Sequence, residues 1–274
     1  MIFMFFKNLK ELLENEISPQ IFSRKEDFYG IQYGVIKEET QVKKILICLD
    51  ISIQSIYYAI KNKVSLIISH HPFIQTPLLE LKKTLMNKLN LLSKYPISIF
   101  VLNNSFISSE NGISETIAKS LYLNIDSLFQ VEINNNIIPL GRICEPMNFS
   151  ESNETLTLRS LLERIKRNLN INRGEIPYVG KLSKNIQKIC IVGGGTLENK
   201  YIEKAAELGC DCFISSNLSH AKAILAEDLG ISLINISHHN SEMIALRHLR
   251  NFLSLEFPYD EFLLFESKDP FDFF

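Results

Sequence analysis

The 274-residue sequence has no surplus of charge: 29 lysines and arginines stand against 31 aspartates and glutamates, a formal net charge of -2. A chain so nearly neutral has no global field for a nucleic-acid backbone or an anionic membrane. Nor does it hold a basic run interleaved with aromatics, the pattern that tracks single strands. Nucleic acid and membrane are therefore not expected partners. Long apolar runs are missing as well. The opening MIFMFF meets Lys7 and Lys10 at once, too short for a signal sequence or a membrane span. It reads as a buried or interfacial anchor on a cytoplasmic protein. Low-complexity segments, long linkers and sustained heptads are absent too. Cysteines are few, five in all, and odd in number. They sit mostly inside apolar runs such as KKILICLD and QKICIVGG, which favours reduced core thiols over disulfides. Cys210 and Cys212, one residue apart in a strand, would point to opposite faces and so share no metal.

What is present is an ordinary globular balance, 46% hydrophobic and 22% charged, far from the signature of disorder. Its length suits one large or two ordinary domains, since single cores stop growing near about 250 to 300 residues. FKNLKELLENEI repeats apolar residues at three and four, predicting a helix that Pro19 closes. KKILICLD and VSLIIS are short apolar runs, as expected of strands buried on both faces, with a helix-like SIQSIYYAIKNK between them. Asp50 marks the end of the first run and His70-His71-Pro72 the end of the second. A long amphipathic segment, PLLELKKTLMNKLNLLSKY, then precedes the strand ISIFVL, the loop NNSFISSEN and the helix GISETIAKSLYL.

Near residues 125 to 155 the pattern changes. VEI, an Asn-rich turn at residues 134 to 136 and IIPLGRICEP read as a hairpin. Helix LTLRSLLERIKRNL follows, and alternation resumes through KICIV, Gly193-Gly194-Gly195, LENKYIEKAAELG, CDCFIS, a helix from about Ser219, ISLINIS and SEMIALRHLRNFL. The expected fold class is α/β, with two α/β domains. Residues 1–125 form an N-terminal half carrying a histidine pair, and residues 126–274 a hairpin-containing middle and C-terminal half.

Four of the six histidines form two adjacent pairs, His70-His71 and His238-His239, each just past an apolar strand. Such strand ends host sites in open α/β sheets. Imidazole is the commonest metal ligand near neutral pH, and a nearby carboxylate lets a divalent ion be held without thiolates. Glu242 supplies one, four residues after His238, where a helix start would bring both to one side of a turn. The metal-ligand candidates are therefore His70, His71, His238 and Glu242. His220, in SSNLSHAKAI at an expected helix start beyond CDCFIS, is the candidate catalytic residue, placed to contact substrate. The glycine triplet, between a strand and a helix, lets backbone come close to an anion or to another chain segment. Ser215 and Ser216 have no evident histidine and acid partners in sequence, so a serine nucleophile is not expected.

Taken in order, ISHHPF, LGRI, VGGGT, SSNLSH and HHNSE resemble the Nif-three-like family, also labelled GTP cyclohydrolase type-two homologues. The resemblance covers nearly the whole chain. It implies two α/β domains with a two-metal site between them, ligated here by His70, His71, His238 and Glu242. It also implies divalent zinc, iron, manganese or magnesium, one or two per chain, and a toroidal homohexamer. Some positions depart from the family. Where it carries His-Thr-x-x-Asp, this chain reads Asn103-Asn104-Ser105-Phe106-Ile107, so isoleucine stands in the place of the bridging carboxylate, a register that Gly112 supports. Asp27-Phe28-Tyr29-Gly30 replaces Trp-Asp-Asn, in a chain that has no tryptophan. Ser215-Ser216-Asn217 replaces a threonine-glycine-acid element. Removing a bridging carboxylate weakens the hold on two neighbouring dications, so a reduced metal count is expected. The function implied is a metal-dependent hydrolase or cyclohydrolase on a nucleotide-like substrate. The alternative is a catalytically weakened oligomeric metal-binding scaffold serving a protein partner.

Overall fold

A computed structural model describes residues 4–19, 28–133, 136–147, 155–171, 175–194 and 198–272. Met1 to Phe3, Asp27, Asn134, Asn135 and Gly195 to Leu197, invoked in the sequence reading, lie outside the described residues. In chain order the elements are α1 (Phe6–Leu12, continued by a π-turn at Leu13–Ile17), β1 (Gly30–Tyr33), β2 (Lys44–Cys48), α2 (Ile53–Lys61), β3 (Leu66–Ser69), α3 (Lys83–Leu92), β4 (Ser98–Val101) and α4 (Asn103–Ser108). Then follow α5 (Ile113–Ser120), β5 (Leu123–Ile133), β6 (Asn136–Pro146), α6 (Leu158–Asn168), β7 (Tyr178–Val179) and β8 (Ile189–Ile191). The chain continues through α7 (Asn199–Glu207), β9 (Cys212–Ser215), α8 (His220–Asp228), β10 (Ser232–Asn235), α9 (His238–Glu256) and β11 (Glu261–Phe265).

Two compact units result. One runs up to Phe106 and is rejoined by Leu246–Lys268; the other is Ile107–Ala245, rejoined from Asp269 onward. This division comes earlier than the change of pattern near residue 125. The later segment that returns to the first unit carries the end of α9 and all of β11.

The first unit holds a five-stranded sheet, ordered β1-β4-β3-β2-β11. Four of its strands are parallel, and β1 pairs antiparallel with β4. Every residue of LIIS and SIFV is buried, which is why these strands read as unbroken apolar runs rather than alternating ones. Leu46, Ile56, Ala59, Ile67, Leu92 and Ile99 pack one face of this core. Burying each large aliphatic side chain stabilises by about 1.5 to 3 kcal/mol. Helix α2 starts at a capping box in which the Ser52 hydroxyl accepts from the Ser55 amide and the Ser55 hydroxyl accepts from the Ser52 amide.

The second unit holds a six-stranded sheet, β5-β6-β8-β9-β10-β7, in which β8, β9 and β10 are parallel and the flanking pairs antiparallel. Its core includes Phe129, Ile143, Cys190, Tyr201, Ile202 and Phe213. Arg142, 1% exposed, lies inside this unit. It donates to the carbonyls of Ser108, Ser109 and Gly141 and to Glu115, tying the end of α4 and the start of α5 to β6.

Several expectations change. NNSFISSEN is not simply a loop, because Asn103–Ser108 close a short helix: Ser105 bonds back to the Leu102 carbonyl, and Asn103 takes a left-handed φ of 49° that asparagine tolerates. The segment from Pro77 becomes helical only at Lys83, leaving Leu78, Leu79 and Leu81 exposed. Strands β1, β7 and β11 arise where no strand is expected, and the hairpin begins at Leu123, before VEI. Met4 and Phe6 are buried within the chain, so this part of the apolar opening needs no partner to cover it.

Candidate metal centre

In the first unit the pairing of β2 with β3 persists past the strand ends. The His70 amide donates to the Cys48 carbonyl at 3.1 Å and the His71 amide to the Leu49 carbonyl at 2.9 Å. On the other side the Asn103 amide donates to the His70 carbonyl at 2.9 Å. Bonds on both sides therefore fix the backbone that carries the two imidazoles. The His70 ring is 2% exposed, 4.8 Å from the His71 ring and 5.9 Å from Phe106, centroid to centroid. His71 Nδ1 lies 2.8 Å from Asp50 Oδ1. A carboxylate accepts only, so Nδ1 carries a proton, and in the neutral ring the lone pair is then on Nε2.

In the second unit His238 opens α9 beyond the carboxyl end of β10, with Glu242 one turn further on. Glu242 is wholly buried, and a carboxylate taken from water needs a partner. His238 Nε2 stands 3.1 Å from Glu242 Oε2. Its other ring nitrogen, Nδ1, is 3.1 Å from the Ser216 hydroxyl, which also donates to the Gly194 carbonyl at 2.9 Å. With that hydroxyl proton on Gly194, Ser216 accepts from Nδ1–H of His238. Ser216 thus has the histidine partner that sequence spacing did not reveal. The missed signal is topological: both residues follow the carboxyl ends of adjacent parallel strands, β9 and β10.

Among the described residues, His70, His71 and Glu242 make up a candidate metal-binding group, each with one ligand atom to offer. His238, the fourth expected ligand, is not in that group, although its Nε2 touches Glu242. His220 is not part of that group: it is exposed at the first turn of α8, beyond the carboxyl end of β9. Ser215 is buried and its hydroxyl has no hydrogen-bond partner among the described residues.

The described part of the glycine turn is filled by protein. A Cβ on Gly193 would stand 2.6 Å from Ile113 Cγ2, and the Gly193 amide donates to the Ser114 hydroxyl. Of the two readings of this turn, close approach of another segment is the one realised at Gly193 and Gly194. Ile107 is half-buried against Gly194. All five cysteines are buried as free thiols, so Cys210 and Cys212 form no disulfide.

Two sheets flanked by helices, together with a candidate histidine and glutamate group, define an α/β protein bearing a group of metal-ligand type. A family profile described as Duf34/NIF3 (NGG1p interacting factor 3) matches residues 4–270, and the chain belongs to that family. A curated relative from Methanocaldococcus jannaschii, named GTP cyclohydrolase 1 type 2 homolog, is 28% identical over 250 residues, covering 89% of this chain and 94% of the relative. A relative of the same name from Clostridium perfringens is 26% identical over 253 residues, covering 91% and 93%. Among solved structures, a Bacillus cereus protein related to NIF3 matches with a TM-score of 0.82 at 18% identity, covering 100% of both chains, a likeness of fold. Among the described residues no helix is long and apolar enough to cross a membrane.

Proposed function

We propose that this protein is a metal-dependent hydrolase of the cyclohydrolase kind acting on a nucleotide-like substrate, with His70, His71, His238 and Glu242 as metal ligands. The observation that carries the reading is the grouping of His70, His71 and Glu242. Two imidazoles and one carboxylate suit zinc, iron or manganese, and the buried Glu242 brings the negative charge that a dication requires. The names of the curated relatives point to the same substrate class. A divalent cation supplies, when bound, Lewis acidity toward water and toward a ring or phosphate electrophile. The chain's own part is to hold the two rings by their Nδ1 atoms, His71 by Asp50 and His238 by Ser216, so that Nε2 of each would be the ligating atom. His220, exposed beyond β9, contacts substrate and passes a proton at its ring.

Metal per chain in protein purified without added metal, followed by turnover on a panel of nucleotides, tests the proposal. Measurable metal and hydrolysis, both lost in Glu242→Gln, are expected. His220→Asn should keep the metal and lose turnover. Protein without metal or turnover would overturn the reading.

A second reading, an oligomeric metal-binding scaffold with weakened chemistry, is favoured by one observation. The side chain at position 107 is aliphatic and packs on Gly194, where the family resemblance places a carboxylate. Metal without turnover on any nucleotide selects it. Both readings include a homohexamer, which light scattering at micromolar concentration tests.

A further inference from the structure

Strands β2 and β3 run parallel with Cys48 opposite Ser69. Two residues further along each chain come Asp50 and His71, and the amide bonds from His70 and His71 keep the two segments in step over that distance. Past the strand ends both segments bend, and the Asp50 carboxylate lies beside the His71 ring, at 2.8 Å from Nδ1. The backbone of Asp50 is pinned as well: its carbonyl accepts from the Ser55 hydroxyl at 2.9 Å and from the Ser52 amide at 3.0 Å, at the start of α2. The Asp50 side chain is 57% exposed, against 26% for His71. A carboxylate so well solvated gains little for the fold from this contact.

We propose that Asp50 is a positioning residue for the metal centre. It accepts the Nδ1 proton of His71, holds the imidazole in the tautomer whose lone pair is on Nε2, and fixes the plane in which that nitrogen meets a cation. The proposal rests on the metal-centre reading. A neutral imidazole has one N–H to place, and which nitrogen keeps it is set by the partner of the other. Without the carboxylate the ring is able to protonate at Nε2, and in that form it is no ligand there. The negative charge also raises the basicity of the ligating nitrogen. At Nδ1 His238 meets the neutral Ser216 hydroxyl, whereas His71 meets an anion there.

The test uses the full chain with 15N-labelled histidine, with the His71 signals assigned through His71→Gln. In metal-free protein the ring nitrogens should report Nδ1–H for His71, and in Asp50→Ala they should shift toward Nε2–H. Competition with a chelator should then show zinc held about tenfold more weakly in Asp50→Ala, the low end for contacts behind a ligand. Asp50→Asn, whose amide oxygen still accepts, should fall between the two. Thermal unfolding of the metal-free variants should match that of the unaltered protein, which separates positioning from a structural role. Equal zinc affinity in Asp50→Ala, or a His71 ring that keeps its proton on Nδ1 without Asp50, overturns the role of Asp50 alone. No zinc uptake by the unaltered protein overturns the metal-centre reading and the positioning role with it.

Discussion

Ile107 occupies the space that a side chain on Gly194 would need: a Cβ built there stands 2.5 Å from Ile107 Cδ1. Gly194 also takes a φ of 77°, in the left-handed region. Gly194→Ala should cost about 1 to 2 kcal/mol from the backbone conformation, plus whatever is needed to move the isoleucine tip. Ile107→Val removes that tip. In a double-mutant cycle by urea unfolding the pair should therefore be less destabilised than the sum of the singles, by about 0.5 kcal/mol or more. Strict additivity would mean that the two residues do not press on each other.

Ile107→Asp puts a carboxylate at the position where the family resemblance places a bridging ligand. The variant should bind more metal per chain than the unaltered protein, because a negative ligand offsets the repulsion between neighbouring dications. Elemental analysis of protein purified in parallel reads the outcome. Unchanged stoichiometry would sink the assignment of position 107 as a ligand position.

Glu115 gives the second unit a pH dependence. Burial raises its pKa, but the Lys119 hydrogen bond and the Arg142 charge outweigh that and bring it below the usual glutamate value. A depressed carboxylate contributes stability that is fully present above its unfolded value, roughly 4.3. That stability is lost as the pH falls through the lower folded value. Glu115→Gln should flatten the acid limb of stability in that window. At neutral pH it should cost roughly 3 kcal/mol, the low end for a buried cation deprived of its partner, since Arg142 keeps three carbonyl acceptors. A variant with an unaltered acid limb would refute the assignment.

The cysteines should be silent toward thiol reagents in the native state. Burial pushes the Cys144 thiol up to about 12 and the Cys210 thiol up to about 11, and it raises Cys48, Cys190 and Cys212 as well. A thiol reacts as its thiolate, and all five side chains are covered. Titration at pH 8 should find five reactive thiols after denaturation and almost none before. Rapid native labelling of even one would contradict this packing.

The alternation of apolar strands and amphipathic helices was legible because buried parallel strands write themselves as unbroken apolar runs. KILIC, LIIS, SIFV and CFIS all appear as strands. What escaped was chemistry or pairing set from a distance. GIQY becomes β1 only by lying against β4, and Tyr178–Val179 become β7 only against β10. Asn-Asn-Ser spells a turn locally, yet hydrogen bonds to Leu102 and Phe28 start a helix there. His70, His71, His238 and Glu242 stood out by adjacency and spacing. Their holders, Asp50 and Ser216, lie 21 and 22 residues from the histidines they touch and emerge only once strand order is known.

Strand β11 adds to the open edge of β2, with Glu261 opposite Lys44 and a 2.8 Å ion pair between them. Along the chain those partners are separated by the Ile107–Ala245 stretch of the second unit. On a ribosome the first sheet is thus begun first and finished last. Until Glu261–Phe265 emerge, the apolar KILIC strand presents an unpaired edge, while the intervening Ile107–Ala245 stretch has already been made. Such an edge is a template for another chain. A nascent chain stalled before residue 261 should therefore aggregate more readily than the full chain, with that β2 edge as the cause.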